Sequence, residues 1–233
     1  MTQRVFSDAA YQRECSAVVQ AVTERGVVLD STVFYPVGGG QPGDTGEVRW
    51  EGGRATVVDT FAEHDGRIVH VLAESAAVPD PGTEVVAEID FERRYRLMRM
   101  HTCLHLLSAV LPYPVTGGQV SDGAGRLDFD LPEAPDKTEV EAELNRLISE
   151  DHPVGERWIT DAELDAQPDL VKTLSVKPPR GAGRIRLLEI PGVDLQPCGG
   201  THVKRTGEIG PVRVRKIEKK GRMNRRVKLE LVE

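Results

Sequence analysis

The sequence contains few cysteines and few aromatic residues, and it has no long hydrophobic run. Its 233 residues include three cysteines, and aromatic residues make up 5% of the chain. Three cysteines cannot form a closed set of disulfides, and no apolar stretch approaches the roughly 20 residues that span a bilayer. The N-terminus is charged and lacks the hydrophobic core of a signal peptide. We therefore expect a cytoplasmic protein in a reducing environment, with no membrane partner.

The charge is unevenly distributed along the chain. The net charge is −7, but residues 203–228 carry eleven Lys or Arg against Glu208 and Glu218, a local balance of +9 that leaves −16 for the rest. Four arginines also lie between residues 93 and 99. Basic stripes on an acidic protein favour phosphate contact at one face, and the acidic remainder disfavours general binding to nucleic acid such as DNA. The alternative is a solvated strand face.

Histidine and cysteine occur at two spacings that are typical of metal ligands. His101 and His105 lie four residues apart in a segment with helical periodicity, so their side chains share one helix face. Cys198 and His202 lie four apart in QPCGGTHV, which reads as a turn. One thiolate and three imidazoles suit tetrahedral zinc, and we predict one Zn²⁺ per chain. Four protein ligands normally close a structural site, so the sequence leaves open whether this zinc is catalytic.

Several other catalytic signatures are missing. Thr102 stands where a zinc peptidase of the HExxH type has its glutamate, and there is no GxSxG sequence. The loop GGGQPGDTG lacks the Gly-Lys-Ser/Thr ending of a phosphate-binding P-loop, and Pro42 and Asp44 favour a turn instead. Peptidase, serine hydrolase and nucleotide-binding functions are therefore disfavoured.

Periodicity predicts an α+β protein with two domains. Residues 1–90 alternate polar and apolar residues between Gly-containing turns, which favours a small β-barrel. Residues 91–233 begin with a helix over Tyr95 to Leu111, have a second helix over Thr138 to Glu150 that Asp136 caps, and then become rich in strands. We expect these helices to pack on an antiparallel sheet.

Specific sequence blocks carry a family resemblance. HTCLHLL, RLDFD, RLLEI and PCGGTHVKRTGEIGPVRV occur in the same order as in the editing domain of alanyl-tRNA synthetases, and FYPVGGGQPGDTGEV at 34–48 is similar to the Gly-rich element of the longer free-standing alanyl-tRNA editing proteins. The chain resembles their medium-length form over nearly its whole length. The resemblance implies zinc-dependent hydrolysis of the ester in mischarged tRNA(Ala), mainly with serine and also with glycine, amino acids that a synthetase rejects poorly by binding alone.

The resemblance and the local chemistry together predict three groups of site residues besides the metal ligands. Thr102 and Gln119 are expected to lie in the catalytic pocket. The residues expected to bind substrate are Gly39, Gly40, Gln41, Asp44, Gly199, Gly200 and Thr201. The residues expected to contact tRNA are Arg93, Arg94, Lys204, Arg205, Lys219, Lys220 and Arg222.

Two other functions stay open at this point. One is a module that holds the acceptor end of tRNA around a structural zinc. The other is a deacylase for a different mischarged tRNA, such as Ser-tRNA(Thr), because the ester chemistry would be the same. The oligomeric state has no signature in the sequence.

Overall fold

A computed structural model of the chain describes residues 2–174 and 183–232. The chain divides into two compact units, Met1–Tyr95 and Arg96–Glu233. The strands of the described residues are β1 Gln3–Arg4, β2 Glu14–Thr23, β3 Gly26–Leu29, β4 Ser31–Thr32, β5 Gly46–Trp50, β6 Gly53–Ala62, β7 Ile68–Leu72, β8 Glu84–Ile89, β9 Val115–Ser121, β10 Ala124–Asp130, β11 Gly155–Ile159, β12 Ile185–Ile190, β13 Asp194–Pro197, β14 Val212–Lys219 and β15 Asn224–Leu231. The α-helices are α1 Val5–Asp8, α2 Phe91–Val110, α3 Lys137–Ser149 and α4 Asp161–Asp165.

The first unit is a closed antiparallel barrel with the strand order β2-β3-β7-β6-β5-β8, which confirms the predicted barrel. Alternate residues of β8, namely Val85, Ala87 and Ile89, are buried in its core. The strands approach closely at Gly46, where a Cβ would lie only 2.1 Å from the Glu88 carbonyl oxygen. Only glycine fits this position, so the sequence itself fixes how β5 pairs with β8.

The second unit combines helices with two antiparallel sheets, and the α+β prediction is confirmed. One sheet has the order β14-β15-β10-β9 and the other has the order β11-β12-β13. α3 begins at its predicted cap, because the Asp136 carboxylate accepts hydrogen bonds from the backbone N–H groups of Thr138 and Glu139. It packs its apolar face near β14. The hairpin of β9 and β10 was not among the predicted strands.

The long helix α2 carries the two helical histidines of the predicted metal site. It begins one turn earlier than predicted, since the Asp90 carboxylate accepts a hydrogen bond from the backbone N–H of Arg93 at 3.0 Å. Its side chains from Leu97 to Met98 and from Met100 to Ser108 are buried. The helix is thus enclosed on most sides, and this encloses its histidines too. Across the described ranges, no helix is long and apolar enough to cross a membrane.

Candidate metal centre

Four side chains converge to form a compact cluster in the second unit. The candidate ligand atoms of His101, His105, Cys198 and His202 all lie within 4.8 Å of one another. The Cys198 sulfur lies 3.6 Å from His101 Nε2 and 3.2 Å from His202 Nε2. Each of the three histidines is at most 7% exposed. The two sequence-distant motifs therefore form one site.

The cluster is built from one rigid and one loop segment. α2 supplies His101 and His105, which lie one turn apart on the same face. Cys198 directly follows β13, and its backbone N–H still donates to the Arg186 carbonyl on β12 at 3.1 Å. The Arg186 guanidinium in turn donates to the carbonyl oxygens of Cys198 and Gly200, at 3.0 and 2.9 Å. Arg186 thereby holds both sides of the turn that presents Cys198 and His202.

The two glycines of the turn behave differently from each other. The Gly200 backbone N–H donates to the Cys198 sulfur at 3.4 Å, a contact that favours the thiolate. Gly199 is exposed, and a Cβ there would meet nothing within 4 Å. Neither glycine adopts the positive φ that the sequence allowed. Contact of Gly199, Gly200 and Thr201 with substrate stays a prediction.

A polar network fixes the orientation of His105. Its Nδ1 lies 2.9 Å from the Asp194 carboxylate, which also accepts from Lys172 Nζ at 2.6 Å. The Gln196 side-chain amide also belongs to this network, because it donates to the Asp194 carboxylate at 2.7 Å and to the Ser108 hydroxyl at 2.8 Å. Because Nδ1 is used by the carboxylate, His105 has Nε2 for the cluster. This is the carboxylate–histidine arrangement that accompanies metal ligands.

Thr102 fixes His202 in a comparable way. Its hydroxyl donates to the Met98 carbonyl at 2.9 Å and lies 3.2 Å from His202 Nδ1, from whose N–H it can accept a hydrogen bond. The backbone N–H of Val203 also donates to this hydroxyl at 3.3 Å. Thr102 is fully buried behind the imidazole. This contact orients His202, and the role of Thr102 in catalysis stays a prediction.

The charges in the cluster favour a thiolate at Cys198, a neutral imidazole at His202 and a protonated His105, whose proton a metal ion would displace. Burial raises the pKa of the Cys198 thiol, but the three surrounding imidazoles outweigh burial and bring that pKa well below its usual value. Burial lowers the pKa of His202 to about 3, against the opposing charge of Cys198. Burial also lowers the pKa of His105, but the Cys198 thiolate and Asp194 outweigh it and raise this pKa to about 9. The cluster thus contains a thiolate.

The donor set fits zinc. Ligand distances of about 2.0–2.3 Å in a tetrahedron put neighbouring donor atoms roughly 3.3–3.7 Å apart, and the two measured separations from Cys198 are close to this. Electron-pair donors repel one another at such distances unless a proton or a cation lies between them. A mixture of one thiolate and three imidazoles is typical of zinc rather than of magnesium or calcium.

Gln119 is not brought to the cluster. It lies on β9 opposite Arg126 of β10, and its amide oxygen accepts from the Arg126 side chain at 3.3 Å. Gly125, the residue before Arg126 on β10, faces α2, since a Cβ at Gly125 would meet Met100 of that helix at 2.8 Å. Gln119 therefore lies on the sheet face turned away from α2. Successive residues of a strand point to opposite faces, so this arrangement does not bring Gln119 to the cluster, and its catalytic role stays a prediction.

The Gly-rich loop forms a tight turn in the barrel unit. Gly39 and Gly40 both have positive φ, 57° and 83°, and the backbone groups of Gly38 and Gln41 are hydrogen-bonded to each other on either side. This is the turn that the sequence favoured. Gly39 and Gly40 are exposed, whereas Gln41 and Asp44 are buried. Substrate binding by the four stays a prediction, and the structure gives Gln41 and Asp44 no exposed surface for it.

Most of the predicted tRNA-contacting residues have accessible side chains, and one does not. Arg94 is 0% exposed; it binds the Asp44 carboxylate and the carbonyl oxygens of Ala10 and Val33. Arg94 therefore forms a buried ion pair with no exposed surface, and its contact with tRNA stays a prediction. Arg93 is half-buried and donates to the Gly43 carbonyl. The exposed members of the set are Lys204, Arg205, Lys219, Lys220 and Arg222.

The sequence interpretation missed the residues that support the metal ligands. Asp194, Gln196 and Cys198 alternate along one strand, and this period of two places all three on one face. Alternating polar residues leading to a candidate cysteine ligand were therefore a signal for Asp194 and Gln196. No comparable signal existed for Lys172 or Arg186, which approach from other segments.

Comparison with known proteins identifies the family. Residues 3–93 match the family described as tRNA synthetases class II (A), and residues 185–228 match the threonyl and alanyl tRNA synthetase second additional domain. The alanyl-tRNA editing protein AlaX-M of Methanosarcina acetivorans is 37% identical, with 100% of both chains covered. AlaX-M of Saccharolobus solfataricus is 34% identical, with 97% of this chain and 98% of that protein covered.

A second group of relatives is much longer. The alanine–tRNA ligase of Pyrobaculum neutrophilum is 38% identical over 94% of this chain, which spans 25% of the ligase. These matches place the chain in the class of proteins that share domains with tRNA synthetases. The full-length matches are more specific: the chain belongs to the family of AlaX-M alanyl-tRNA editing proteins.

Proposed function

We propose that this protein hydrolyses the ester bond of tRNA(Ala) mischarged with serine, and also with glycine, at a zinc ion held by the His/Cys cluster. Family membership makes it an aminoacyl-tRNA deacylase of alanyl-tRNA editing. The observation that carries the metal-centred part is the convergence of His101, His105, Cys198 and His202 within 4.8 Å. The products are the free amino acid and tRNA.

The chain's own residues prepare this site in two ways. Asp194 and Thr102 each contact the Nδ1 of one histidine, so His105 and His202 turn Nε2, the nitrogen that would donate to a bound metal, toward the cluster. Burial of the cluster removes competing water and strengthens its electrostatic interactions. Bound zinc would supply Lewis acidity, which polarises an ester carbonyl or lowers the pKa of a water molecule.

The reaction makes modest chemical demands on the protein. An ester is more easily hydrolysed than an amide, so a dedicated general base is not required in this proposal. The two side chains that contact the Nδ1 atoms of the histidines, Thr102 and Asp194, are buried and engaged in those contacts. The terminal ribose hydroxyl of the substrate is the group that we expect to assist in proton transfer.

The preference for serine follows from the second-sieve argument. A synthetase pocket built for a methyl group rejects an added hydroxyl or a missing methyl only weakly by binding. A separate hydrolytic site must therefore accept serine or glycine and spare alanine. In this proposal the pocket beside the cluster performs that second selection.

The first experiment is deacylation of Ser-tRNA(Ala), Gly-tRNA(Ala) and Ala-tRNA(Ala) by the purified full chain, together with its metal content. Loss of serine that is fast, sensitive to a zinc chelator and restored by added Zn²⁺ is the expected result, with alanine spared. Hydrolysis that continues unchanged in metal-free protein would contradict the metal-centred mechanism.

A cysteine comparison tests the cluster directly. Cys198→Ala removes a candidate ligand, and we expect its activity to fall by more than about 100-fold, since loss of a group that merely supports a ligand costs about 10- to 100-fold. Cys15→Ala is the matched control, because Cys15 is a half-buried free cysteine of the barrel unit. Equal activity of the two variants would contradict the proposal.

Two observations keep other functions under test. The cluster has four protein donors, which is the number of ligands in closed structural zinc sites, and this favours a module that only holds tRNA. Zinc-replete protein that binds tRNA(Ala) without hydrolysing any ester would establish that function. The C-terminal match is shared by threonyl and alanyl enzymes. Hydrolysis of Ser-tRNA(Thr) faster than Ser-tRNA(Ala) would transfer the activity to that substrate.

A further inference from the structure

An exposed tryptophan lies on the sheet face that carries the metal site. Trp158 on β11 is 42% exposed and stands opposite Arg186 on β12. On the other side of β12, Arg186 stands next to Cys198, and the Arg186 carbonyl accepts a hydrogen bond from the Cys198 backbone N–H. Trp158, Arg186 and Cys198 thus form one row across three neighbouring strands, in which cross-strand neighbours point to the same face.

Side-chain contacts confirm which face this is. The opposite face of β11 and β12 holds the core cluster with Ile159, Ile185 and Leu187. On the face with Trp158, the Arg186 guanidinium contacts Glu156 of β11 and reaches the carbonyl oxygens of the CGGTH turn. Adjacent strands are about 4.8 Å apart, so the backbones of Trp158 and Cys198 lie roughly 10 Å apart.

The covering of this face changes from one edge to the other. Over β13, Gln196 and Asp194 hydrogen-bond to Ser108 and His105 of α2, so the helix covers that edge. Over β11 the indole stays exposed. Arg184 places its guanidinium carbon 4.5 Å from the centre of the Trp158 ring, forming a cation–π pair. The open edge beside the site therefore presents an aromatic plane and a cationic plane together.

Such a surface matches the chemistry of a single-stranded RNA end. Unpaired bases stack on aromatic side chains and on arginine planes, and the positive charge of arginine attracts the phosphates between them. An ester substrate on the terminal ribose brings the last nucleotides of tRNA within reach of a surface about 10 Å from the reacting position. A small apolar ligand would not need Arg184, and a protein partner would need a much larger patch.

We propose that Trp158, together with Arg184, is a stacking platform for an unpaired base at the 3′ end of the tRNA substrate. This inference rests on the proposed function, because it assumes that the substrate is an aminoacyl ester of tRNA. Trp158 acts in binding and does not touch the reacting ester. Its loss should therefore raise KM far more than it lowers kcat.

Binding of uncharged tRNA tests the platform without any hydrolysis. In a Trp50→Phe background Trp158 is the remaining tryptophan, and its fluorescence reports on stacking. We expect uncharged tRNA(Ala) transcript to quench it, and the same transcript without its last three nucleotides to quench it much less. Quenching that is equal for the two transcripts would overturn the proposal.

Variants separate stacking from simple loss of structure. Trp158→Leu should weaken binding of the complete transcript by about 5- to 100-fold, leave the shortened transcript unaffected, and raise KM for Ser-tRNA(Ala) similarly. Trp158→Phe should restore most of the affinity because it keeps an aromatic plane. Phe61→Leu is the matched control, since Arg25 covers Phe61 in the barrel unit in the same way.

The outcomes distinguish this inference from the proposed function. Hydrolysis by the unmodified protein with unchanged KM in Trp158→Leu overturns the platform and leaves the deacylase in place. No hydrolysis of any ester, with binding of the complete transcript still weakened in Trp158→Leu, supports the platform and overturns the deacylase. Equal losses in Trp158→Leu and Phe61→Leu overturn the platform.

Discussion

The two units of this protein each bury a polar cluster, and the clusters are built on opposite principles. In the barrel unit, Arg94 and Asp44 neutralise each other, and their remaining groups bind the backbone: Tyr35 donates to Asp44, and Val33 accepts from Arg94. Every strong donor and acceptor there is matched. Such a pair has structural value and little capacity to bind anything else.

In the second unit, two histidines of the cluster are held by groups outside the cluster through one nitrogen each. His105 and His202 each use Nδ1 for Asp194 or Thr102 and direct the rest of the ring to the cluster. The barrel's buried His70 differs, because its Nε2 contacts the Thr32 hydroxyl at 2.7 Å and its Nδ1 contacts the Val27 carbonyl at 3.1 Å. A buried histidine whose two nitrogens both contact other protein groups has a structural role. Histidines that turn one nitrogen each toward a shared cluster could instead hold a metal ion.

The largest expected effect on stability comes from removing one partner of the buried ion pair. Asp44→Ala leaves the fully buried guanidinium of Arg94 without its counter-charge, and we expect a loss of about 3–5 kcal/mol in the free energy of unfolding of the barrel unit. Urea unfolding followed by Trp50 fluorescence in a Trp158→Phe background measures this. The zinc content of folded protein should not change.

Two variants control this prediction. Glu51→Ala removes an exposed carboxylate of the same unit and should change stability by less than about 0.5 kcal/mol. Arg94→Met combined with Asp44→Ala should recover part of the loss, since no charge then remains buried. A single Asp44→Ala variant as stable as the parent would show that the pair is not what holds this region.

His70 should make the barrel unit sensitive to acid. Burial lowers the pKa of His70 to about 4, against the opposing Val27 carbonyl, whereas the unfolded chain titrates near 6.5. Folded His70 stays neutral, so its contribution is complete above about pH 6.5 and is lost as the pH falls toward 4. Over this pH range the change in the pKa of His70 should lower the free energy of unfolding by about 3 kcal/mol.

The difference between the parent and His70→Gln isolates this contribution. Glutamine does not titrate, so urea unfolding of the variant should depend less on pH between 6.5 and 4, even if the variant is less stable at pH 7. The carboxylates with lowered pKa, such as Asp128, act in both proteins alike. Parallel pH profiles would contradict the structural role assigned to His70.

Asp194→Asn should leave the imidazole of His105 less firmly oriented toward the cluster. The variant loses the charge that fixes His105 Nδ1, and we expect zinc affinity or deacylation to fall about 10- to 100-fold. Competition with a chromophoric chelator measures the affinity. Asp122→Asn is the matched control, because Asp122 is ion-paired with Arg96 in the same unit, outside the cluster.

Thr102→Val should have the smallest effect of the four changes. It keeps the shape of the side chain but removes the hydroxyl beside His202 Nδ1, and loss of one neutral hydrogen bond costs about 1 kcal/mol, or about fivefold in zinc affinity. Thr102→Ser keeps the hydroxyl and should bind zinc like the parent. Complete loss of activity with normal zinc affinity would instead indicate that Thr102 acts directly in catalysis.

Much of the fold follows from local pattern. Alternation and Gly-containing turns predicted the barrel, and helical periodicity with the Asp136 cap predicted α3 to within a residue at each end. These features depend on neighbours in sequence, which is why they were predictable. The hairpin of β9 and β10 was missed because its glycines and prolines mask the alternation of a strand.

The sequence by itself determined the identity of the four candidate ligands, because spacing of four on a helix or in a turn restricts where side chains can point. Tertiary structure decided everything that depends on packing between distant segments. It buried Arg94 against Asp44, turned Gln119 to the far side of a sheet, brought Asp194 to His105 and left Trp158 exposed two strands away from Cys198. A side chain's partners across a sheet or under a helix depend on register and burial, and these are properties of the folded chain as a whole.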